Sequence, residues 1–205
     1  MKYALFILLC LPGFVGCVHL DQELIITSET KGKFLIRASI DSNVYQAFIK
    51  RGNSAVTDWF DPVAGSKWIS EADGAVVDTY RVYERDGRQH LKIEGLITDL
   101  PTFIKSGKTG AFELSKRGGN HRLKLRLKAP SGQKPARALG GEEVLTEKLA
   151  AIAQGMRLDL TITVPQVVTA TTAPFKKGTS VKWIFDVDKD PSFLSDAPEI
   201  SVEYQ

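Results

Sequence analysis

The chain is poor in cysteine and histidine: of its 205 residues two are Cys and three are His. Both cysteines, Cys10 and Cys17, lie in the first seventeen residues, so the rest of the chain holds neither a disulfide framework nor a thiolate metal site. His19, His90 and His121 stand far apart. No His-Glu-x-x-His, no Gly-x-Ser-x-Gly and no phosphate-binding glycine loop occurs. With no catalytic motif, the expectation is a non-enzyme that needs no cofactor. Asp186-Val-Asp188-Lys-Asp190 starts like a calcium loop, but Pro191 stands where the loop needs Gly, and Ala197 where it needs a ligating Glu. After residue 17 no apolar run approaches the ~20 residues that cross a bilayer as a helix. Repeats and low-complexity stretches are also absent. Stability must come from a packed core, which a chain of this length can build as one domain.

What is present begins at the start. Lys2 is followed by the apolar run Tyr3 to Leu11, the break Pro12-Gly13, and then Phe14-Val15-Gly16-Cys17. That order is the layout of an export signal. Its ending resembles the lipobox of bacterial lipoproteins, with Phe14 where the pattern carries a branched aliphatic residue. The resemblance implies that residues 1–16 are a signal peptide, that Cys17 is lipidated, and that residues 17–205 form a membrane-tethered envelope domain. Two acyl chains or more hold a protein far more firmly than one. Val18 follows the cysteine where lipoproteins kept in the inner membrane usually carry Asp. The family pattern therefore points to the periplasmic side of the outer membrane in a host that has one.

From residue 20 onward the hydrophobic pattern alternates. Leu20, Gln22, Leu24 and Ile26 share one parity, and so do Phe34, Ile36, Ala38 and Ile40. Period two predicts half-buried strands, joined here through Thr30-Lys31-Gly32-Lys33. Residues of about 43–51 carry Val44, Tyr45, Phe48 and Ile49 at helical spacing behind the capping group Asp41-Ser42-Asn43. Trp59, Phe60 and Trp68 lie among turn formers and read as packed aromatics, with the lining of a ligand groove or contact with a membrane interface as the alternatives. Two β-rich runs flank Asp86-Gly87, the pair that favours a tight hairpin turn; Val76, Tyr80 and Val82 share a parity in the first. Phe112 to Ser115 is expected to pair with Arg122 to Lys128. Residues 130–141 are rich in Pro, Gly and basic groups and read as a surface loop. Residues of about 142–154 form the longest predicted helix, ended by Gly155. Strands are expected at Met156 to Val164, Val181 to Val187 and Glu199 to Tyr204, with a polar connection over Thr169 to Gly178. The fold class is α+β, with a mainly antiparallel sheet of hairpins, one longer helix and one short one.

Charge is the sharpest internal signal. The chain carries +3 overall, yet the stretch 105–137 holds ten Lys and Arg against a single acid, Glu113. Within it Arg122, Lys124, Arg126 and Lys128 alternate with Leu123, Leu125 and Leu127. On a strand the four cations project from one face about 6.5–7 Å apart. A row of like charges costs stability unless partners relieve it. Two structural solutions are open: cross-strand acids such as Glu84 or Glu94, or an edge strand guarded by lysines. The functional one is a surface for anionic lipid headgroups, glycolipid or an acidic wall polymer. A protein-docking role for a strand edge or for the Trp59 and Trp68 region is the alternative, and nucleic acid is not an expected partner of an exported protein.

At Gly155-Met-Arg-Leu-Asp-Leu-Thr-Ile-Thr-Val-Pro165 and Gly178-Thr-Ser-Val-Lys-Trp-Ile-Phe-Asp186 the chain is similar to the LppM-like family of bacterial lipoproteins. There a lipidated cysteine leads into a strand hairpin. A helix, an alternating strand, a Pro, a turn and a Trp-containing strand follow near the end. The likeness covers Cys17 to Ile40 and residues 142–187. Gln166 stands where members usually carry Gly. The resemblance implies a non-enzymatic, lipid- or glycolipid-contacting envelope domain. The processing signal makes a direct prediction: mass spectrometry of the protein from membranes finds a chain that starts at an acylated Cys17. An intact Met1 would refute it.

Overall fold

The computed structural model describes residues 18–50, 52, 54–106, 112–125, 154–194 and 198–205, save for a few side chains, Trp68 among them. The segment 1–16, Cys17, Arg126 to Lys128, the loop 130–141 and the helix expected at about 142–154 lie outside the described residues.

The α+β class is observed. Strand β1 (His19–Ile26) and strand β2 (Gly32–Asp41) form the first hairpin, their inward residues alternating as the pattern requires. Helix α1 (Ser42–Lys50) follows, its first turn closed by the Asp41 carboxylate, which accepts from the Asn43 and Val44 amides. Phe48 is the residue it buries; Ile49, expected on the same stripe, is 46% exposed. Residues after Gly52 form α2 (Ser54–Thr57), a 3₁₀ turn Asp58–Phe60, and α3 (Pro62–Ser70). Asp61 caps α3 by accepting from Val63 and Ala64, and Pro62 occupies its first position, where a missing amide costs nothing.

Strands β3 (Ala75–Arg85) and β4 (Arg88–Ile97) meet across Asp86-Gly87, both with positive φ, the backbone that a two-residue hairpin turn needs. Helix α4 (Leu100–Ser106) leads to β5 (Phe112–Arg117) and β6 (Asn120–Leu125). Then come β7 (Arg157–Thr163), β8 (Val168–Thr171), β9 (Phe175–Lys177), β10 (Ser180–Asp186) and β11 (Ile200–Tyr204). The stretch expected to be a polar connection thus holds two short strands.

The strands form two sheets, not one. The larger has seven strands in the order β3-β4-β2-β1-β7-β10-β9; the smaller has four, β5-β6-β11-β8. All described pairs are antiparallel except β1 with β7. One hydrophobic cluster joins both sheets and the helices: Leu24, Phe34, Ile36 and Ile93 from the larger sheet meet Phe103 of α4 and Leu123 and Val202 of the smaller. Each such side chain contributes roughly 1.5–3 kcal/mol relative to exposure.

Two local departures have physical causes. Val76 is 54% exposed, although Tyr80 and Val82 pack inward. Asp78 is an extra residue between Val77 and Thr79 in the β3–β4 register. That bulge reverses the parity below it. Gly95, in mid-strand, lies under the Phe34 ring, which stacks on Phe103 at 5.2 Å. A Cβ there would stand 2.5 Å from both the Phe34 ring and the Val76 carbonyl oxygen. Replacing Gly95 with Ala is expected to cost about 1–3 kcal/mol in denaturant unfolding, since the Phe34 stack must shift. An unchanged midpoint would show that the stack is not tight.

Candidate functional site

The predicted basic row was placed on β6, and the structure puts that strand inside the smaller sheet, between β5 and β11. It reaches β5 through Gly118-Gly119, both with positive φ. Leu123 and Leu125 are buried, while Arg122 is exposed and Lys124 half-buried on the other face. Their counter-charges come from the C-terminal end of the chain. Arg122 Nε lies 3.3 Å from Glu203, and Lys124 Nζ 3.0 Å from Glu199. A second Arg122 nitrogen is 3.5 Å from Glu199. The Lys124 hydrogen bond and charge, helped by Arg122, hold the Glu199 carboxyl below the usual glutamate range. Of the two structural solutions read from the sequence, relief by acids across the strands is the one observed, but the acids are Glu203, directly opposite Arg122, and Glu199, not Glu84 or Glu94. The edge strand is corrected, since β6 has a neighbour on each side. Glu84 accepts from Ser42 and Gln89, and Glu94 pairs with Lys92. Arg126 and Lys128 lie outside the described residues. Of the aromatic group, Phe60 is buried and Trp59 packs against the core, its carbonyl accepting from the Tyr80 hydroxyl.

His121, beside this row, is buried and stacks on Tyr204 at 5.2 Å. Its Nε2 lies 3.3 Å from Glu29, which also binds Lys116 at 2.8 Å. Glu29 sits in the β1–β2 loop, so this cluster fastens the two sheets together.

The larger sheet gathers more polar chemistry on its outer face, and no local pattern announces it. Register aligns its side chains in rows across the strands. One row runs Tyr83, His90, Ser39, His19, Arg157, Asp186; the next runs Arg81, Lys92, Arg37, Asp21, Asp159. In the second row three cations stand side by side, followed by two acids. Arg37 closes on Asp21 at 2.7 Å where the signs meet. Lys92 turns to Glu94 at 3.0 Å, and Arg81 lies over the Tyr83 ring. Asp159 accepts from Arg157 at 2.7 Å and from Lys182 at 2.7 Å. Burial pushes the Asp159 carboxyl up, but these two hydrogen bonds and their charges outweigh it and hold it below the usual aspartate range.

Between the rows lies an open groove of about 330 Å³, lined by His19, Asp21, Arg37, Ser39, Tyr83, His90 and Lys92. Ser39 is the reason for it: a small side chain stands between two imidazoles. Arg88 arches over this serine, donating to its Oγ at 3.1 Å and to its carbonyl at 3.3 Å. His90 stacks on Tyr83 at 5.0 Å and within 9° of parallel. Partial burial, then Arg88 and Arg157, hold the His19 imidazole below the usual histidine range. Among the described residues no group of three or more His, Cys, Asp or Glu gathers as metal ligands would.

Taken together, these features define an α+β domain of two packed sheets whose larger sheet shows one polar face crossed by a charge-sorted row. That architecture has a solved counterpart. The chain is similar to the folded domain of LppM from Mycobacterium tuberculosis, with a TM-score of 0.51, covering 94% of this chain and 92% of that one. At 14% identity the likeness establishes a shared fold. No protein-family model and no curated protein matches the sequence.

The Asp159 cluster makes a testable case. A carboxyl whose folded pKa is depressed stabilises fully above the unfolded value of about 3.9. That contribution fades as pH falls through the lower folded value. Asp159→Asn is expected to lose about 1–2 kcal/mol at neutral pH. The gap to the parent should close in melts below pH about 4. A gap that persists in acid would mean the loss is not electrostatic.

Proposed function

We propose that this chain is a bacterial envelope lipoprotein that binds rather than catalyses. The acylated Cys17 anchors it, and its domain engages an anionic lipid, a glycolipid or a cell-wall component. The observation behind this is the absence of slack between anchor and fold. Val18 already accepts a hydrogen bond from Arg157 at 2.9 Å, and β1 begins at His19. A lipid on Cys17 would hold the central strand of the larger sheet directly against a membrane surface. Envelope components at that surface carry many negative charges, which suits the cations of the outer face and of the stretch 105–137. Outer-membrane, periplasmic placement follows from Val18 by the family pattern.

A structural or assembly subunit is the second reading, favoured by the far edge of the larger sheet. Among the described residues strand β9 pairs with β10 alone, and its Phe175 is 55% exposed, with Val167 nearby in the chain 65% exposed. An uncovered edge with apolar side chains is a template for a partner strand.

Two changes separate the parts of this proposal. Cys17→Ser should move the protein from the membrane to the soluble fraction. Reversing Arg126 and Lys128 to Glu should lower retention on anionic vesicles at low salt by severalfold. Reversing Arg122 and Lys124 as well would face Glu199 and Glu203 with like charge, so the outer pair alone is the cleaner test. Unchanged retention removes the row from the binding surface. A photo-crosslinker at residue 175 that yields one protein adduct in cells would favour the assembly reading.

A further inference from the structure

Three cations stand side by side in one row of the outer face of the larger sheet. Arg81, Lys92 and Arg37 are direct cross-strand neighbours on β3, β4 and β2. Such pairs bring their Cβ atoms to about 4.5–5.5 Å, where like charges destabilise. The relief they have is uneven. Arg37 is bonded to Asp21, and that bond also occupies the one carboxylate lining the groove. Lys92 shares Glu94 on its own strand, with both groups more than a third exposed. Arg81 faces an aromatic ring and, among the described residues, no carboxylate within ion-pair distance. Beside this row the groove adds two imidazoles and Ser39 on its floor.

We infer that the groove of His19, Ser39, Tyr83, His90 and Lys92 binds the oxyanion of a phosphate ester. Lys92 and the flanking Arg81 supply the positive charge, and the anion brings the counter-charge of which their row is short. The imidazoles on either side of Ser39 stand two strands apart, which by strand spacing is about 9.5–10 Å and leaves room for a phosphate between them. The flat Tyr83–His90 pair offers a surface on which the organic part of the ester can lie. This specifies the ligand class of the binding-module proposal and moves its site away from β6, where Glu199 and Glu203 already neutralise Arg122 and Lys124.

The chain has three histidines, one of them remote from the groove, so the imidazole signals report directly. The experiment uses the full chain in uncharged detergent micelles and follows the histidine ring resonances by NMR. Glycerol 1-phosphate is added in one arm, micelles doped with phosphatidylglycerol in the other, each matched by sodium chloride of equal ionic strength. Saturable shifts of His19 and His90, with His121 still, are expected, and Lys92→Gln should weaken them about tenfold, the loss of one charge-assisted contact. Shifts with both probes mean that a free ester suffices; shifts with the doped micelles alone place the phosphate on a lipid headgroup. No shift with either, or the same shift with chloride, overturns the proposal. The still His121 resonance confirms that the variant is folded. If the histidines stay silent while anionic vesicles still retain the protein, the groove fails and the binding-module proposal stands.

Discussion

The structure depends on a single strand being bonded on both sides. Strand β1 pairs antiparallel with β2, its neighbour in sequence, and parallel with β7, which lies more than a hundred residues further on. Its inward side chains Leu20, Gln22, Leu24 and Ile26 are all buried. Among the described strands, the β1–β7 ladder alone joins the β7-β10-β9 half of the sheet to the β3-β4-β2 half by backbone hydrogen bonds. A parallel pair cannot be closed by a tight turn, so a long crossover is obligatory, and the loop-closure entropy falls on this one contact. The smaller sheet depends on it too, because β8 and β11 flank β9 and β10 in the chain.

That central placement gives the two faces of the larger sheet different duties. The inner face carries the shared core with the smaller sheet and the helices. It also holds two buried donors with no acceptor among the described residues, Gln22 Nε2 and Trp183 Nε1, on either side of Leu160 in one cross-strand row. The outer face is polar, and one row across it is sorted by charge, with Arg81, Lys92 and Arg37 on β3, β4 and β2 and the acids Asp21 and Asp159 on β1 and β7. Hydrogen bonds stitch the boundary. The sorting stabilises the seam between the two halves at Arg37–Asp21 and leaves Arg81 and Lys92 poorly neutralised, and the groove opens beside them.

Much of the fold was legible in local patterns. Alternation fixed which face each residue of β1, β2, β7 and β10 presents. Asp86-Gly87 marked its hairpin, and Asp41 its helix start. Where the pattern misled, a nonlocal or irregular feature intervened. The Asp78 bulge turned Val76 outward. The short strands β8 and β9 were hidden in a Thr- and Pro-rich stretch too brief to show a period. Asp61-Pro62, a cap followed by a first-turn proline, is a local signal for α3. For the candidate sites, the Arg122 and Lys124 row was visible as a charge pattern, but Glu199 and Glu203 lie some eighty residues away and no local rule links them. The outer-face groove was invisible for the same reason: its lining comes from four strands, each contributing only one to three residues.

The sequence by itself determined where many of the turns fall and which residues point to the core. These follow from backbone periodicity and from residue types whose preferences act over a few positions. Only the tertiary structure decided which strands lie side by side. Neighbour choice is set by the joint burial of many alternating faces, and any inward face of matching length satisfies the local pattern equally well. So the cation row, the Ser39 dent and the pairing of β6 with β11 appear only once the sheets are assembled.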